Sequence, residues 1–254
     1  MNIKFGIHNL ASIAISLLII SGCATYQAQK VGPTIIMRSQ EEIPEDQLLD
    51  VGILVFESDE ITAEEAEDEG TNNDIRRAES HFVAYHLKNT LRQSSQWGAV
   101  RVIPAETDSV DLQVKGKILE SNGENLGLKI NVSDAAGNIW FSKNYKAEAT
   151  RSTYADNRLG EKDAFQDLYN TIANDMAKFK QELNSDEIRK IRATAKLKFA
   201  AEFAPQAFGG YLVKDKKGII SINRLPAADD PMMARLLKIR EREYMYVDTL
   251  NEQY

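Results

Sequence analysis

The sequence predicts an α+β fold in which helices pack on an antiparallel-rich sheet, followed by a mainly helical C-terminal extension. Three observations support this fold class: an apolar run of strand length, short segments in which apolar and polar residues alternate, and long segments with apolar residues at the helical period. With 254 residues, 43% of them apolar, the chain is long enough to bury the core of one large domain. Its net charge of −7 argues against nucleic acid as a partner.

The predicted core begins with a strand, a helix and a second strand. The continuous apolar run Val51–Phe56 is typical of a central strand that is covered on both faces. A helix is predicted from about Asp74 to Ser94, because apolar residues recur there every three or four positions. Trp97–Ile103 then predicts a short strand, which Pro104 ends.

Three consecutive antiparallel strands are predicted next. Apolar residues alternate with polar ones from Val110 to Ile118 and again from Leu126 to Val132, and the polar segment Ser121–Asn125 supplies the turn between them. A second turn leads into a third strand over Ile139–Ala149. A long helix from about Lys162 to Leu183 completes the order strand–helix–strand–strand–strand–helix.

The remaining residues predict a helical extension. Asn184 is a suitable N-cap for a helix that continues to about Phe203. A small hairpin follows, and a final helix begins at Pro231, with Asp229 or Asp230 as its cap.

The N-terminus indicates export and lipidation. Residues 1–22 combine a cation, an apolar stretch from Leu10 to Ile20 and small residues, as in a secretory signal peptide, and this stretch is too short to span a bilayer. The segment Leu18–Cys23 resembles the bacterial lipobox. The resemblance implies that Cys23 is acylated and anchors the mature chain, and Ala24 after it implies the outer membrane, with the protein facing the periplasm.

The predicted core also resembles a group of periplasmic lipoprotein domains, on the order of its elements and on the turn-then-Trp segment Gly137–Lys143. The group includes the curli-secretion lipoprotein, the ABC-transporter auxiliary lipoproteins and the TolB N-terminal type domain, which implies an accessory or assembly role in the envelope. The expected organisation is a signal peptide (1–22), a lipidated N-terminus and tether (23–50), an α+β accessory domain (51–183), and a helical extension with a small hairpin and an amphipathic C-terminal helix (184–254).

The residue pattern gives no reason to expect catalysis, a metal or a cofactor. His81 and His86 are five positions apart on one helix, so they do not share a face as paired metal ligands would. The single cysteine is expected to be acylated, and no phosphate-binding loop or nucleophile elbow occurs in the sequence. The acidic stretch Glu57–Glu69 lacks the spacing of a dedicated calcium loop and is more typical of a solvated loop.

Two helical faces could bind partners. Arg189, Arg192 and Lys196 lie on one face, which could meet anionic head groups or an acidic partner, or could be solvated or paired within the chain. The C-terminal helix carries apolar stripes interspersed with arginines, which could face a partner or could pack onto the Ala78, Phe82 and Tyr85 face of the first helix. The residues predicted to bind a partner are Met233, Leu237, Arg240, Tyr244 and Val247.

Together these features predict an outer-membrane lipoprotein that faces the periplasm and has no enzymatic activity. Its partners would be the membrane, through the lipid on Cys23, and a protein of the envelope. The predicted function is that of a scaffold, adaptor or assembly factor for an envelope complex. The alternative is a carrier or auxiliary protein for lipid or another apolar ligand in envelope transport.

Overall fold

A computed structural model describes residues 28–59, 72–149 and 163–251. The predicted signal peptide, Cys23 and most of the acidic stretch, residues 60–69, lie outside the described residues.

The structure confirms the α+β fold class, with a mixed seven-stranded sheet at its centre. The order is β1-β7-β6-β5-β2-β4, and β3 pairs with one end of β5. The long β5–β6 and β6–β7 pairs are antiparallel, whereas the shorter β1–β7, β2–β4, β2–β5 and β3–β5 pairs are parallel. The strands are β1 (Gln29–Lys30), β2 (Val51–Leu54), β3 (Glu57–Ser58), β4 (Val100–Ile103), β5 (Leu112–Ser121), β6 (Asn125–Asp134) and β7 (Ile139–Glu148), and a separate hairpin contains β8 (Leu212–Lys214) and β9 (Ile220–Ile222).

Helices cover one face of this sheet. Side chains alternate across a strand, so Leu112 and Val114 on β5 and Leu128 and Ile130 on β6 all face α1 and α2 and are fully buried. Gly116 lies on this same face of β5, where an added Cβ would overlap the ring of Phe56. The helices are α1 (Asn73–Gln93), α2 (Gln166–Glu182), α3 (Ser185–Phe203), the short α4 (Pro205–Phe208) and α5 (Pro231–Asn251).

The other face of the sheet is covered differently at its two edges. The alternation places Gln113, Lys115, Lys129 and Asn131 on this face, and all four are at least partly exposed. Near β4, however, the C-terminal helix α5 packs against the sheet and against α3. The second face is therefore open over β5 and β6 and closed beside β4.

Helix ends agree with the sequence because caps are local features. Asn184 and Glu187 form a reciprocal capping box at the start of α3. Asp230, one of the two predicted caps, accepts from the backbone N–H groups of Met232 and Met233 at the start of α5. The strand predicted from Trp97 is shorter than expected and begins at Val100, because the ring of Trp97 packs in the core beside Trp140 instead.

The prediction of a tether is wrong for the described residues 28–50. Asn174 on α2 accepts from the Met37 N–H at 2.7 Å and donates to the Ile35 carbonyl at 2.9 Å. Asp167, also on α2, accepts from the Thr34 N–H, and Leu49 is fully buried. This segment is attached to α2 by polar side chains, a contact that the apolar periodicity of the sequence does not report.

The core also crosses the predicted boundary at residue 184. Ile188, Ile191 and Ala195 on α3 belong to the same apolar cluster as the strands and α1. A second cluster joins the end of α3 to the hairpin and to α5, and includes Phe199 and Leu236. The helical extension thus completes the core of the predicted α+β domain (51–183) at one end of the sheet.

Candidate functional site

The loop between β4 and β5, residues 104–111, is the point at which the C-terminal helix is attached. The carbonyl oxygen of Ser109 accepts from Arg240 Nε at 2.7 Å, and also from Arg240 Nη2 and the Tyr244 hydroxyl. Both donors lie on α5 and are inward-facing, and Arg240 is 5% exposed. A single backbone carbonyl therefore receives three donors from a helix 131 residues further along the chain.

A buried carboxylate lies directly beneath this contact. Asp111 is 1% exposed and lies 3.5 Å from Arg240 Nη2 and 3.9 Å from Arg192 Nε on α3. It also accepts from the Asp50 N–H at 2.8 Å. Burial, together with the carboxylate of Asp50, raises the pKa of Asp111 to about 6, even though both arginines act in the opposite direction.

Tyr244 remains a neutral donor in this arrangement. Burial raises the pKa of its hydroxyl above the ordinary value. The ring lies 4.1 Å below the guanidinium of Arg101, so Tyr244 supports this second cation as well. Asp248 on α5 receives Arg101 in two contacts, from Nε at 2.8 Å and from Nη2 at 2.9 Å. Two arginines therefore attach α5 in opposite directions. Arg240 extends from α5 to the loop, and Arg101 extends from β4 to α5.

A cleft of about 640 Å³ opens between the loop, α5 and the open face of the sheet. Gln113 and Ser133 form its floor, and Glu202 and Lys198 on α3 close one side. The described side chains that line it are mainly polar or charged, and α5 contributes Glu243, Tyr244, Tyr246 and Val247.

The cleft contains one buried donor without a partner. Arg101 lines the cleft, its side chain is 11% exposed, and its Nη1 has no hydrogen-bond acceptor among the described residues. A buried donor in this state is costly unless something accepts from it.

The other charges of the cleft differ in how they are compensated. Lys198 is paired with Asp108 at 2.7 Å. Glu243 on α5 faces Glu202 on α3, and burial and this second carboxylate raise the pKa of Glu243. The mouth of the cleft between α3 and α5 is therefore acidic, whereas its interior offers the Arg101 donor.

The structure places the five predicted partner-binding residues on the inner side of α5. Arg240 and Tyr244 bind the loop, Val247 lines the cleft, and Met233 packs on the second apolar cluster. Leu237 is half-buried. The prediction that Arg240 faces a partner is wrong, because its guanidinium is needed beside the buried Asp111.

The core-packing alternative holds for this stripe, although α5 does not lie where the sequence analysis placed it. It packs beside β4 and α3, and Phe82 on α1 is 51% exposed. Tyr85 contacts α5 at one point, by donating to Asn251 Oδ1 at 2.7 Å. The functional residues missed by sequence reasoning are Asp111, Ser109 and Arg101, because each depends on partners distant in the chain.

The basic face of α3 is largely paired within the chain. Arg189 contacts Asp46 at 3.0 Å and Asp186 at 2.6 Å, and Arg192 donates to the Glu45 carbonyl and lies near Asp111. Lys196 is half-buried, and burial, followed by its two arginine neighbours, lowers its pKa. The alternative of intramolecular pairing is therefore the correct one for Arg189 and Arg192.

Within residues 28–59, 72–149 and 163–251, no group of three or more acidic, histidine or cysteine side chains is placed to hold a metal ion. None of the helices in these ranges has the length and apolar character required to cross a membrane.

The comparisons with known proteins give a partial likeness of fold. No protein-family model matches the sequence, and no curated protein matches it either. Among solved structures, a PelC dodecamer from Paraburkholderia phytofirmans is similar over 59% of this chain and 93% of its own, with 13% identity and a TM-score of 0.32. A point variant of the same protein gives 12% identity over 59% and 92%, with a TM-score of 0.31. A Xanthomonas campestris protein of the DUF330 family is similar over 63% of this chain and 97% of its own, with 9% identity and a TM-score of 0.33. At such scores these likenesses carry no argument about function, and the resemblance of residues 51–183 to periplasmic lipoprotein domains stays a prediction.

Proposed function

We propose that the protein is an outer-membrane lipoprotein, anchored through acylated Cys23 and facing the periplasm, that acts without catalysis as a scaffold, adaptor or assembly factor. The anchor is supported by the apolar stretch that ends in Leu18–Cys23. The binding role is supported by one observation above all: the cleft beside α5 contains the buried, unpartnered Nη1 of Arg101.

The lining of the cleft favours a segment of a protein as the occupant. A peptide segment supplies backbone carbonyls and carboxylates that would accept from Arg101, and an acidic mouth at Glu202 and Glu243 would pair with a basic side chain of the same segment. An acyl chain would supply neither an acceptor for Arg101 nor a cation for the acidic mouth. The carrier alternative is therefore the weaker of the two for this cleft.

The anchor is tested by mass spectrometry of the N-terminal peptide from the full-length protein purified from membranes. We expect an acylated Cys23 as the first residue. Replacement of Cys23 by Ser should release the protein from the membrane fraction, whereas a membrane-bound C23S variant would contradict anchoring through this residue.

The binding role is tested in cells by placing a photo-crosslinking residue at Gln113 on the cleft floor and, as a control, at Lys216 on the tip of the hairpin. We expect a defined protein adduct from the first position alone. A second change, Ser133→Trp, fills the cleft and should abolish the adduct, whereas Asn131→Trp, on the same strand face outside the cleft lining, should preserve it.

Three outcomes would contradict the proposal. An adduct of equal yield from both crosslinking positions would show contact unrelated to the cleft. An adduct that survives Ser133→Trp would place the partner elsewhere on the protein. Lipid recovered with the purified protein and lost in the Ser133→Trp variant, with no protein adduct, would move the function to the carrier class.

A further inference from the structure

The outward side of α5 differs from the remainder of the molecule in its charge and polarity. The inward direction of the helix is given by its buried residues Leu236 and Arg240. At about 100° per residue, a basic strip of Arg235, Lys238 and Arg242 lies opposite this direction, and an apolar strip lies beside it, between the cations and one edge of the inward side: Met232, Ile239, Tyr246 and Leu250. All seven side chains are exposed.

The basic strip is free to bind something else. Arg235, Lys238 and Arg242 make no ion pair or hydrogen bond with another residue in the part of the chain that the structure describes. The cations of α3 differ in this respect, because Arg189 and Arg192 are paired within the chain.

The acidic residues of α5 lie outside this arc. Glu241 and Glu243 fall on its two flanks, and Asp248 is held by Arg101. The outward arc, about 120° wide, thus combines apolar and cationic side chains with no anion, although the whole chain has a net charge of −7. An anionic surface would be repelled by most of this protein and attracted by this one helix.

We propose that the outward face of α5 lies against an anionic phospholipid surface. A helix with an apolar strip beside a strip of Arg and Lys can lie at the boundary between head groups and acyl chains, where the long cationic side chains reach the phosphates. Tyr246 lies at the border between this surface and the cleft, which it also lines, whereas the other six residues of the surface do not line the cleft.

The inference draws on the proposed anchor for proximity alone. Cys23 precedes the first described residue, Ala28, by five positions, a span of at most about 18 Å. An acylated Cys23 would therefore keep the domain close to a membrane, where a weak contact of α5 is favoured by effective concentration.

The test uses the full-length acylated protein in vesicles, with Ile239→Cys carrying an environment-sensitive fluorophore. The chain has one natural cysteine, which acylation blocks, so the introduced thiol alone is labelled. We expect a blue shift in vesicles of phosphatidylglycerol and phosphatidylcholine, and none in phosphatidylcholine alone. The same label at Lys216→Cys, on the exposed hairpin tip, should not respond.

Charge reversal sharpens the test. Each cation near an anionic surface raises the binding constant about fivefold. The double change Arg235→Glu with Arg242→Glu should therefore lower the ratio of docked to undocked helix at least about thirtyfold. The matched control, Lys216→Glu with Lys217→Glu, changes the net charge equally and should leave the shift intact.

No shift in the anionic vesicles would overturn the proposal, and so would an equal shift in phosphatidylcholine or a shift that survives the reversal of Arg235 and Arg242. A photo-crosslinker at Ile239 that yields a protein adduct, with no vesicle response, would replace the membrane by a protein partner. Flotation with phosphatidylcholine vesicles reports the acyl anchor separately, so a failure of anchoring is distinguished from a failure of the helix.

Discussion

The two ends of the described chain are attached to opposite edges of the same sheet by different kinds of contact. Residues 28–37 lie beside β7 and α2 and are held mainly by hydrogen bonds between their backbone and single side chains of α2, such as the buried Asn174 and the partly exposed Asp167. Helix α5 lies beside β4 and is held by a few charged groups, of which Arg240 and Asp111 are almost fully buried.

The difference lies in what happens when one contact is removed. Water can replace a lost partner at the N-terminal segment, so each of its hydrogen bonds contributes modestly and independently. Beneath α5, a removed partner leaves a charge without compensation in the interior, and the cost falls on the whole cluster. The following four substitutions test this contrast, in decreasing order of expected effect.

The largest effect is expected from Arg240→Met, which keeps the length of the side chain and removes the guanidinium. Ser109 loses two of its three donors, and Asp111 loses its nearer cation. The free energy of unfolding in urea should fall by about 3–5 kcal/mol. Lys238→Met, an equivalent change on the exposed side of α5, should stay within about 0.5 kcal/mol of the wild type. Similar losses in both variants would mean that Arg240 contributes little beyond a surface residue.

The second effect is a pH dependence that arises from Asp111. Its pKa is about 6 in the folded protein, against 3.8 for an exposed aspartate. Between these values the unfolded chain is ionised at Asp111 while the folded chain binds a proton, so the free energy of unfolding falls as the pH rises. The wild type should therefore lose up to about 3 kcal/mol relative to Asp111→Asn between pH 4 and pH 6, with no further change above.

Urea unfolding of both proteins at stepped pH measures this difference. Asp229→Asn, at an exposed position before α5, is the control and should run parallel to the wild type. A wild-type stability that rises relative to Asp111→Asn over this range would show that the two arginines outweigh burial.

A smaller effect is expected at the N-terminal segment from Asn174→Leu. This change removes both hydrogen bonds that Asn174 makes with the backbone at Ile35 and Met37. The free energy of unfolding should fall by about 1–2 kcal/mol, and the Met37 amide should exchange faster with solvent. A loss as large as that of Arg240→Met would remove the contrast between the two ends.

The smallest effect is expected from Lys30→Ala. Lys30 and Glu148 form an ion pair at 3.0 Å with side chains that are 72% and 51% exposed. Such pairs are screened by water and salt, so thermal and urea unfolding should change by less than about 0.5 kcal/mol. A change above about 1 kcal/mol would show that β1 depends on this pair more than on its backbone pairing with β7.

The sequence was informative where structure is local. Alternation predicted β5 and β6, a turn predicted the start of β7, and Asn184 with Glu187 predicted the start of α3, because each pattern is completed within a few residues. The candidate site depends on contacts that no local pattern reports. From the sequence alone, Arg240 is typical of an arginine at a protein interface. Its burial beside Asp111 depends on a contact between residues 129 positions apart, which no local pattern predicts.

The segment before β2 is a second case in which the sequence did not predict a long-range contact. Gly32 and Pro33 are typical of a linker, and the residues around them have no apolar period. Their attachment is provided by Asp167 and Asn174, whose polar side chains would be assigned to a solvated helix face from sequence alone. Apolar periodicity identifies the surfaces that are buried away from water. It does not identify polar side chains that form hydrogen bonds with the backbone of another segment in place of hydrogen bonds with water.

The contact between Asp111 and Arg240 has a consequence for how the protein is made. A ribosome produces Asp111 129 residues before it produces Arg240, so a chain that contains the first residue but not the second holds a core carboxylate whose nearer cation does not yet exist. Folding to the final state is thereby coupled to completion of the polypeptide. A chain that ends before α5, whether by premature termination or by cleavage, lacks that cation, and the buried carboxylate then opposes the folded state.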